Sequence, residues 1–135
     1  LLAVGRAAPS RPAVARPIAA IADDDAFIDE LQRRYGGIPA ALRGERELLA
    51  LILPTLRADL KITEIYEYHA EPPLPVPIRA FGGRDDPGVD EPSLHAWSQE
   101  TSAGFGVQMF RGGHFFTQEV RPELLRTIRA LVLEP

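Results

Sequence analysis

Short apolar runs alternate with amphipathic stretches along the second half of the chain. Residues 76–81 and 106–110 are compact apolar runs that stop at glycine-rich breaks, as buried strands do. Apolar positions at helical spacing follow each run. The first set lies in a short segment capped by Asp90 or Glu91, and the second lies in residues 117–133. The order strand, helix, strand, helix predicts a parallel sheet with helices packed on its faces, an α/β fold.

The first third of the chain adds a strand and a long connection. Residues 1–5 form an apolar run closed by glycine, which predicts a third strand. Residues 6–22 contain three prolines and many alanines, so we expect a loop without regular structure. If the first strand joins the same sheet, it has no preceding strand beside it and presents an apolar edge.

Two amphipathic helices are predicted between the first and second strands. The first begins at the acidic run Asp23-Asp24-Asp25, which suits helix capping better than calcium binding, and ends before Gly36-Gly37. The second covers about residues 44–68 and has a broad apolar face. Pro54 lies inside it, so we expect a kink or two abutting helices. Because these helices interrupt the alternation, residues 23–68 are interpreted as a helical insertion.

Composition excludes several classes of protein. The 135 residues suit one domain, and no apolar run approaches the roughly 20 residues that cross a bilayer. The absence of cysteine excludes disulfides, thiolate metal sites and a cysteine nucleophile. A net charge of −4 argues against nucleic acid or an anionic membrane as a partner. Three scattered histidines give no metal-binding spacing, and nothing reads as a signal peptide, so we expect a cytoplasmic protein.

Reactive side chains follow two of the predicted strands. Asp85 and Asp86 come after residues 76–81, and His114 comes after residues 106–110. Because the carboxyl ends of parallel strands meet at one edge of a sheet, a carboxylate and an imidazole are placed to meet there. A histidine in this setting can act as a general base that the carboxylate orients. The residues alone leave open a simpler interpretation, a turn before Pro87 and a structural histidine.

The motifs at these strand ends resemble those of a known family. Gly83-x-x-Asp86-x-x-Val89, followed by Gly112-Gly113-His114-Phe115-Phe116, resembles the acid and histidine segments of α/β-hydrolases. More narrowly, the chain is similar to the type II thioesterases of polyketide and non-ribosomal peptide synthesis. Further segments support the resemblance over nearly the whole chain: residues 4–9, 35–39, 53–59 and 66–68, and Trp97 followed by Thr101.

The resemblance implies a fold, an activity and a partner. It makes Asp86 the acid and His114 the base of a catalytic triad, with Asp85 as the competing acid. Residues 23–68 become the lid over the acyl pocket of a partial α/β-hydrolase domain that fills residues 1–135. The implied activity is hydrolysis of acyl thioesters on the phosphopantetheine of an acyl or peptidyl carrier protein. The resemblance implies no metal and no organic cofactor.

One part of the family pattern is absent from the sequence. The nucleophile of the family lies in a Gly-x-Ser-x-Gly turn, and none of Ser10, Ser93, Ser98 and Ser102 lies in such a motif. The chain therefore resembles the carboxyl-terminal half of the family, and we expect it to be inactive without an amino-terminal half. A non-catalytic module that binds carrier proteins and a hydrolase of oxygen esters are the alternatives.

Other residues have simpler interpretations. His69 and His95 are expected to be surface residues, and Phe115 and Phe116 are expected to anchor the histidine loop, with Phe115 able to border the pocket. The remaining candidates are arginines that could meet an acidic carrier protein but by default lie on solvated helix faces: Arg33, Arg34 and Arg43.

Overall fold

The computed structural model describes residues 1–11 and 17–133. Residues 12–16, part of the predicted loop 6–22, lie outside the described residues. The chain divides into two compact units, one made of Leu1–Ala8 with Pro72–Pro135 and the other of Pro9–Glu71. The first unit holds the sheet and the second holds the inserted helices.

The first unit is built on three parallel strands. They are β1 (Leu2–Val4), β2 (Ile78–Gly83) and β3 (Phe105–Phe110), in the spatial order β1-β2-β3. The predicted parallel sheet is confirmed. The run predicted as strand 76–81 begins two residues later because Pro77 has no N–H to give to a ladder. Among the described residues β1 pairs on one side alone, and Leu2 and Val4 on it are exposed.

Helices cover both faces of this sheet. Helix α3 (Glu91–His95), continued by a 3-10 helix over Ala96–Glu100, packs Leu94 against Ala80. Asp90 caps α3 by accepting a hydrogen bond from the Ser93 N–H at 2.9 Å. Successive strand side chains point to opposite faces, so Phe81 lies on the other side, in a cluster with residues of the last two helices.

The carboxyl-terminal helix is divided in two. The prediction of one helix over residues 117–133 is wrong, because α4 (Phe116–Glu119) and α5 (Arg121–Leu133) meet at Val120. Pro122 explains the break. A proline has no N–H to donate to the carbonyl four residues earlier, and its ring clashes with that carbonyl, so Pro122 is best accommodated in the first turn of a new helix. Val120 and Leu124 remain buried against the sheet.

The second unit contains two helices around a small apolar core. Helix α1 (Asp24–Tyr35) is capped by Asp23, whose Oδ1 accepts a hydrogen bond from the Ala26 N–H at 2.8 Å. A 3-10 helix over Ala40–Gly44, which the sequence pattern did not predict, leads into α2 (Arg46–Glu64). The buried side chains of the core are Ile18, Phe27, Ile28, Leu31, Leu49 and Leu53.

Helix α2 runs through its proline without interruption. Of the two expectations at Pro54, a kink or two abutting helices, the second is wrong, because one helix extends from Arg46 to Glu64 with Pro54 inside it. Pro54 lies on the exposed side, and so does Ala50, whose carbonyl loses its helical partner. Water can therefore bind that carbonyl. The helix ends before the exposed Tyr66 and Tyr68.

The three arginines considered for carrier-protein binding are engaged in ion pairs within the second unit. Arg33 and Arg34 both bind Glu30, at 2.6 Å each, and Arg43 binds Asp29 at 2.9 Å. The hydrogen bond from Arg33, then that from Arg34, lowers the pKa of Glu30 to about 2. The charge of these arginines is thus partly neutralised within the unit.

No helix in the described ranges is long and apolar enough to span a membrane.

Candidate active site

The carboxyl ends of all three strands meet at one edge of the sheet. Gly5 follows β1, Asp86 follows β2 and His114 follows β3. Gly5 has φ of +61°, and its N–H donates to the Phe81 carbonyl at 2.8 Å, so the chain turns at the strand end. A Cβ on Gly5 would lie 3.9 Å from the His114 carbonyl oxygen. The loop after β1 therefore lies against the loop that carries the histidine.

Asp86 and His114 are joined by a direct hydrogen bond. The His114 Nδ1 lies 2.8 Å from the Asp86 Oδ2. A carboxylate can only accept, so the Nδ1 carries the proton and donates it. The Asp86 side chain has no exposed surface, whereas 24% of the His114 side chain is exposed. A buried carboxylate thus holds a half-buried imidazole in one tautomer, in which the Nε2 is the ring nitrogen that can accept a proton.

The backbone around Asp86 fixes its carboxylate and separates it from Asp85. The Asp86 Oδ1 accepts a hydrogen bond from the Gly88 N–H at 2.8 Å. Asp85 is exposed, and its N–H donates to the Gly112 carbonyl at 3.0 Å. Of the two aspartates that the sequence left in competition, Asp86 is the one that contacts His114.

Two phenylalanines after His114 have different environments. Phe116 is fully buried and stacks on Phe110 with ring centroids 5.7 Å apart. Phe115 is 42% exposed, and its ring meets the His114 imidazole edge to face at 5.2 Å between centroids. Phe116 therefore anchors the histidine loop in the core, while Phe115 lies beside the imidazole at the surface of this chain.

The other histidines lie apart from this arrangement. His95 is exposed and lies 3.8 Å from the Glu91 carboxylate on the same helix, and His69 is exposed. No group of three histidine, aspartate or glutamate side chains in residues 1–11 and 17–133 could hold a metal ion. The Ser93 hydroxyl donates to the Asp90 carbonyl at 2.7 Å, a helix-capping contact.

The family sequence profile described as "Thioesterase domain" matches residues 1–132. This chain belongs to the thioesterase family. The curated relatives of this thioesterase chain include the gramicidin S biosynthesis protein GrsT of Aneurinibacillus migulanus, 38% identical over 125 residues. That match covers 93% of this chain and 48% of GrsT. Thioesterase PikA5 of Streptomyces venezuelae is 34% identical over 106 residues, which cover 78% of this chain and 37% of that protein.

Solved structures give the same result. RedJ, a thioesterase of the prodiginine pathway in Streptomyces coelicolor, has a TM-score of 0.83 at 29% identity over 94% of this chain and 50% of its own. YbtT, the type II thioesterase of the yersiniabactin pathway, has a TM-score of 0.78 at 33% identity over 95% of this chain and 52% of its own. The resemblance to type II thioesterases and the α/β-hydrolase fold are thereby confirmed. The thioesterase chain spans about half the length of these relatives.

Sequence reasoning missed the backbone groups that position the pair. The Gly88 N–H was not singled out, although Asp86-Pro87-Gly88 carries a signal for it. An aspartate two residues before a backbone N–H, with proline between them, is typical of a turn in which the side chain accepts that hydrogen bond. The close approach of the two loops at Gly83 had no signal beyond the glycine itself.

Proposed function

We propose that the whole protein hydrolyses acyl thioesters carried on the phosphopantetheine of an acyl or peptidyl carrier protein. The observation that carries this proposal is the buried Asp86 carboxylate bound to the His114 Nδ1 at 2.8 Å, in a chain of the thioesterase family. The role would be to remove acyl groups from assembly lines of polyketide or non-ribosomal peptide synthesis.

The proposed chemistry assigns proton transfer to His114 and orientation of the imidazole to Asp86. A serine hydroxyl attacks the thioester carbonyl while the His114 Nε2 takes its proton, and that proton then goes to the departing thiolate. In the second half of the reaction His114 removes a proton from water, which attacks the acyl-serine. The imidazolium then returns that proton to the serine oxygen as the acyl–serine bond breaks and the acid leaves. Asp86 holds the ring orientation and stabilises the imidazolium that forms twice in each cycle.

We place the attacking serine in a segment outside this sequence. Two observations support this assignment: the sequence contains no Gly-x-Ser-x-Gly motif, and the chain spans about half the length of its relatives. The proposal therefore includes that this chain alone does not turn over thioesters. It also assigns this chain to the carboxyl-terminal half of the whole protein.

We assign residues 23–68 to a lid over the acyl chain. These residues lie within the separate unit Pro9–Glu71, which supports an inserted element. Leu51 and Ile62 on α2, and Ile65 directly after it, are each at least 65% exposed, which leaves apolar surface to face an acyl chain.

A second candidate function is a module that binds carrier proteins without catalysis. The observation that favours it is again the absence of the serine motif from the sequence. In that case the Asp86–His114 pair would be a structural remnant of the family site, and carrier-protein binding would need no nucleophile.

A hybrid protein distinguishes the two functions. This chain would replace the matched segment of GrsT, so that the rest of GrsT supplies what the chain lacks, and folding would be checked by circular dichroism. The hybrid is then assayed with an acyl-phosphopantetheinyl carrier protein, with the matching oxygen ester, and beside this chain alone.

The thioesterase proposal expects thioester hydrolysis by the hybrid, a slower reaction with the oxygen ester, and none by this chain alone. A folded hybrid that binds the carrier protein without turnover would support the binding module. Faster cleavage of the oxygen ester would favour an ester hydrolase, and turnover by this chain alone would refute an external nucleophile.

A further inference from the structure

The loops that carry Asp86 and His114 are tied together by their backbones. The Arg84 N–H donates to the Phe110 carbonyl at 2.8 Å, and the Asp85 N–H donates to the Gly112 carbonyl at 3.0 Å. These bonds continue the ladder between β2 and β3 past the ends of both strands. The two loops therefore leave the sheet as a connected pair, directly before the residues that form the candidate site.

This connection brings the histidine loop against Gly83, the last residue of β2. A Cβ added to Gly83 would lie 3.0 Å from the Gly113 carbonyl carbon and closer still to the carbonyl oxygens of Gly112 and Gly113. These are backbone atoms, so they cannot turn away as a side chain can. Any other residue at position 83 must push the two loops apart.

We propose that Gly83 is a positioning residue for the Asp86–His114 pair: the missing side chain lets the histidine loop approach β2 closely enough for the imidazole to reach the carboxylate. The proposal rests on the proposed function for its catalytic meaning. Its structural content, that Gly83 sets the distance between the two side chains, can be tested without turnover.

Neighbouring glycines supply matched controls. Gly82 is also buried in β2, but a Cβ there would meet the Leu94 Cδ1 at 2.5 Å and the Met109 Sδ at 3.3 Å, which are ends of flexible side chains in the cluster around Ala80 and Leu94. In Gly113 the added Cβ would be 3.8 Å from the Asp85 carbonyl oxygen, an ordinary contact. Gly82→Ala thus disturbs the same strand away from the pair, and Gly113→Ala changes the histidine loop without overlap.

The first experiment follows the His114 imidazole by NMR in this chain. A proton held between Nδ1 and a buried carboxylate gives a resonance far downfield, and its loss reports separation of the pair. We expect Gly83→Ala to lose this resonance, while Gly82→Ala and Gly113→Ala keep it. Retention of the resonance in a folded Gly83→Ala variant, or its equal loss in Gly82→Ala, would overturn the proposal.

Amide exchange tests the same proposal in the unchanged chain, should Gly83→Ala fail to fold. If the loops hold the pair through their joined backbones, the Arg84 and Asp85 amides should be protected from exchange and should open together with the His114 Nδ1 proton. Rapid exchange of these amides while the imidazole resonance persists would show that the joined backbones of the two loops do not hold the pair, and would overturn the proposal.

The GrsT hybrid then separates this inference from the proposed function. Displacing a catalytic group by about 1 Å costs on the order of 100-fold in rate, so Gly83→Ala in the hybrid should lower kcat about 100-fold with little change in KM. If the unchanged hybrid gives no turnover, the proposed function fails, and the NMR result still decides the role of Gly83. Equal losses in kcat for Gly82→Ala and Gly83→Ala would count against positioning.

Discussion

The Asp86 Oδ1 accepts a hydrogen bond from the Gly88 N–H at 2.8 Å, while the Oδ2 of the same carboxylate binds the His114 Nδ1 at 2.8 Å. Both oxygens of a fully buried side chain are thereby fixed. A carboxylate held at both oxygens is pre-organised, because it does not have to reorient when the imidazole becomes charged.

Replacing this carboxylate by an amide tests its role in catalysis. Asp86→Asn keeps the size of the side chain but can favour the wrong histidine tautomer, so kcat of the hybrid should fall about 10⁴-fold. Asp85→Asn is the matched control, since Asp85 is exposed and meets the histidine loop through its backbone N–H. Steady-state thioester hydrolysis measures both. A larger loss in Asp85→Asn than in Asp86→Asn would reverse the assignment of the acid.

The two phenylalanines after His114 should differ in their contribution to stability. Phe116 is fully buried, so Phe116→Ala should lower the free energy of unfolding by about 3–5 kcal/mol. Phe115 is 42% exposed, and Phe115→Ala should cost about 1 kcal/mol or less. Urea unfolding can be followed by the fluorescence of Trp97, the single tryptophan, which lies in the first unit together with both phenylalanines. Similar losses in the two variants would contradict the anchoring role of Phe116.

Arg57 is expected to hold the turn before α1 onto α2. Its guanidinium donates to the carbonyls of Ala19 and Ile21, pairs with Asp24 at 2.7 Å, and lies 4.0 Å from the centre of the Phe27 ring. Arg57→Ala should therefore lower the free energy of unfolding of the second unit by about 2 kcal/mol.

Arg57→Lys and Arg46→Ala complete that experiment. Lysine keeps the charge but lacks the planar fork, so Arg57→Lys should recover only part of the loss. Arg46 makes an exposed ion pair with Asp25, and its removal should change stability little. All three tyrosines lie in Pro9–Glu71, so the tyrosine signal reports the unfolding of this second unit. Full recovery with lysine would show that charge alone accounts for the effect.

The free energy of unfolding of the second unit should depend on pH through the Glu30 carboxylate. The hydrogen bonds from Arg33 and Arg34 lower the pKa of Glu30 from 4.5 to about 2, so the folded state holds the ionised form more strongly than the unfolded state does. The stabilisation is fully present above pH 4.5 and is lost as the pH falls through about 2. The difference in unfolding free energy between the wild type and Glu30→Gln should shrink over that interval.

The control is the same substitution without the arginines. In an Arg33→Ala, Arg34→Ala background, Glu30→Gln should have little pH-dependent effect, because the hydrogen bonds that lower the pKa are gone. In the chain that keeps both arginines, an effect of Glu30→Gln that stays constant from about pH 5 to about pH 2 would show that the ion pairs do not stabilise the folded unit.

Local sequence patterns were enough to predict the parallel sheet and the start of α3. The alternation of strands and helices predicted the parallel sheet, and Asp90 and Glu91 were the two candidate caps of α3, of which Asp90 is the cap observed. Two of the departures from the predicted elements lie at prolines. Pro54 lies inside one helix because the Ala50 carbonyl, which it leaves without a helical hydrogen bond, is on the exposed side. Pro122 divides a helix that the spacing of apolar residues alone predicts as continuous. The outcome at Pro54 depends on exposure, which spacing does not encode, whereas the break before α5 follows from Pro122 itself.

The candidate site was predictable in its side chains but not in its backbone. The positions of Asp86 and His114 after neighbouring strands were enough to place them at one edge of the sheet. The role of Gly83 could not be predicted from the sequence, because it depends on the close approach of a loop about 30 residues further along the chain. A glycine in a sequence does not reveal what lies against it.

The most direct test of the account is the effect of His114→Ala on thioester hydrolysis by the hybrid, with His69→Ala and His95→Ala as controls. General-base catalysis by His114 predicts a fall in kcat of at least about 10³-fold for His114→Ala, and changes within a few-fold for the two exposed histidines. A folded His114→Ala hybrid that retains kcat within a few-fold of the unchanged hybrid would contradict the account.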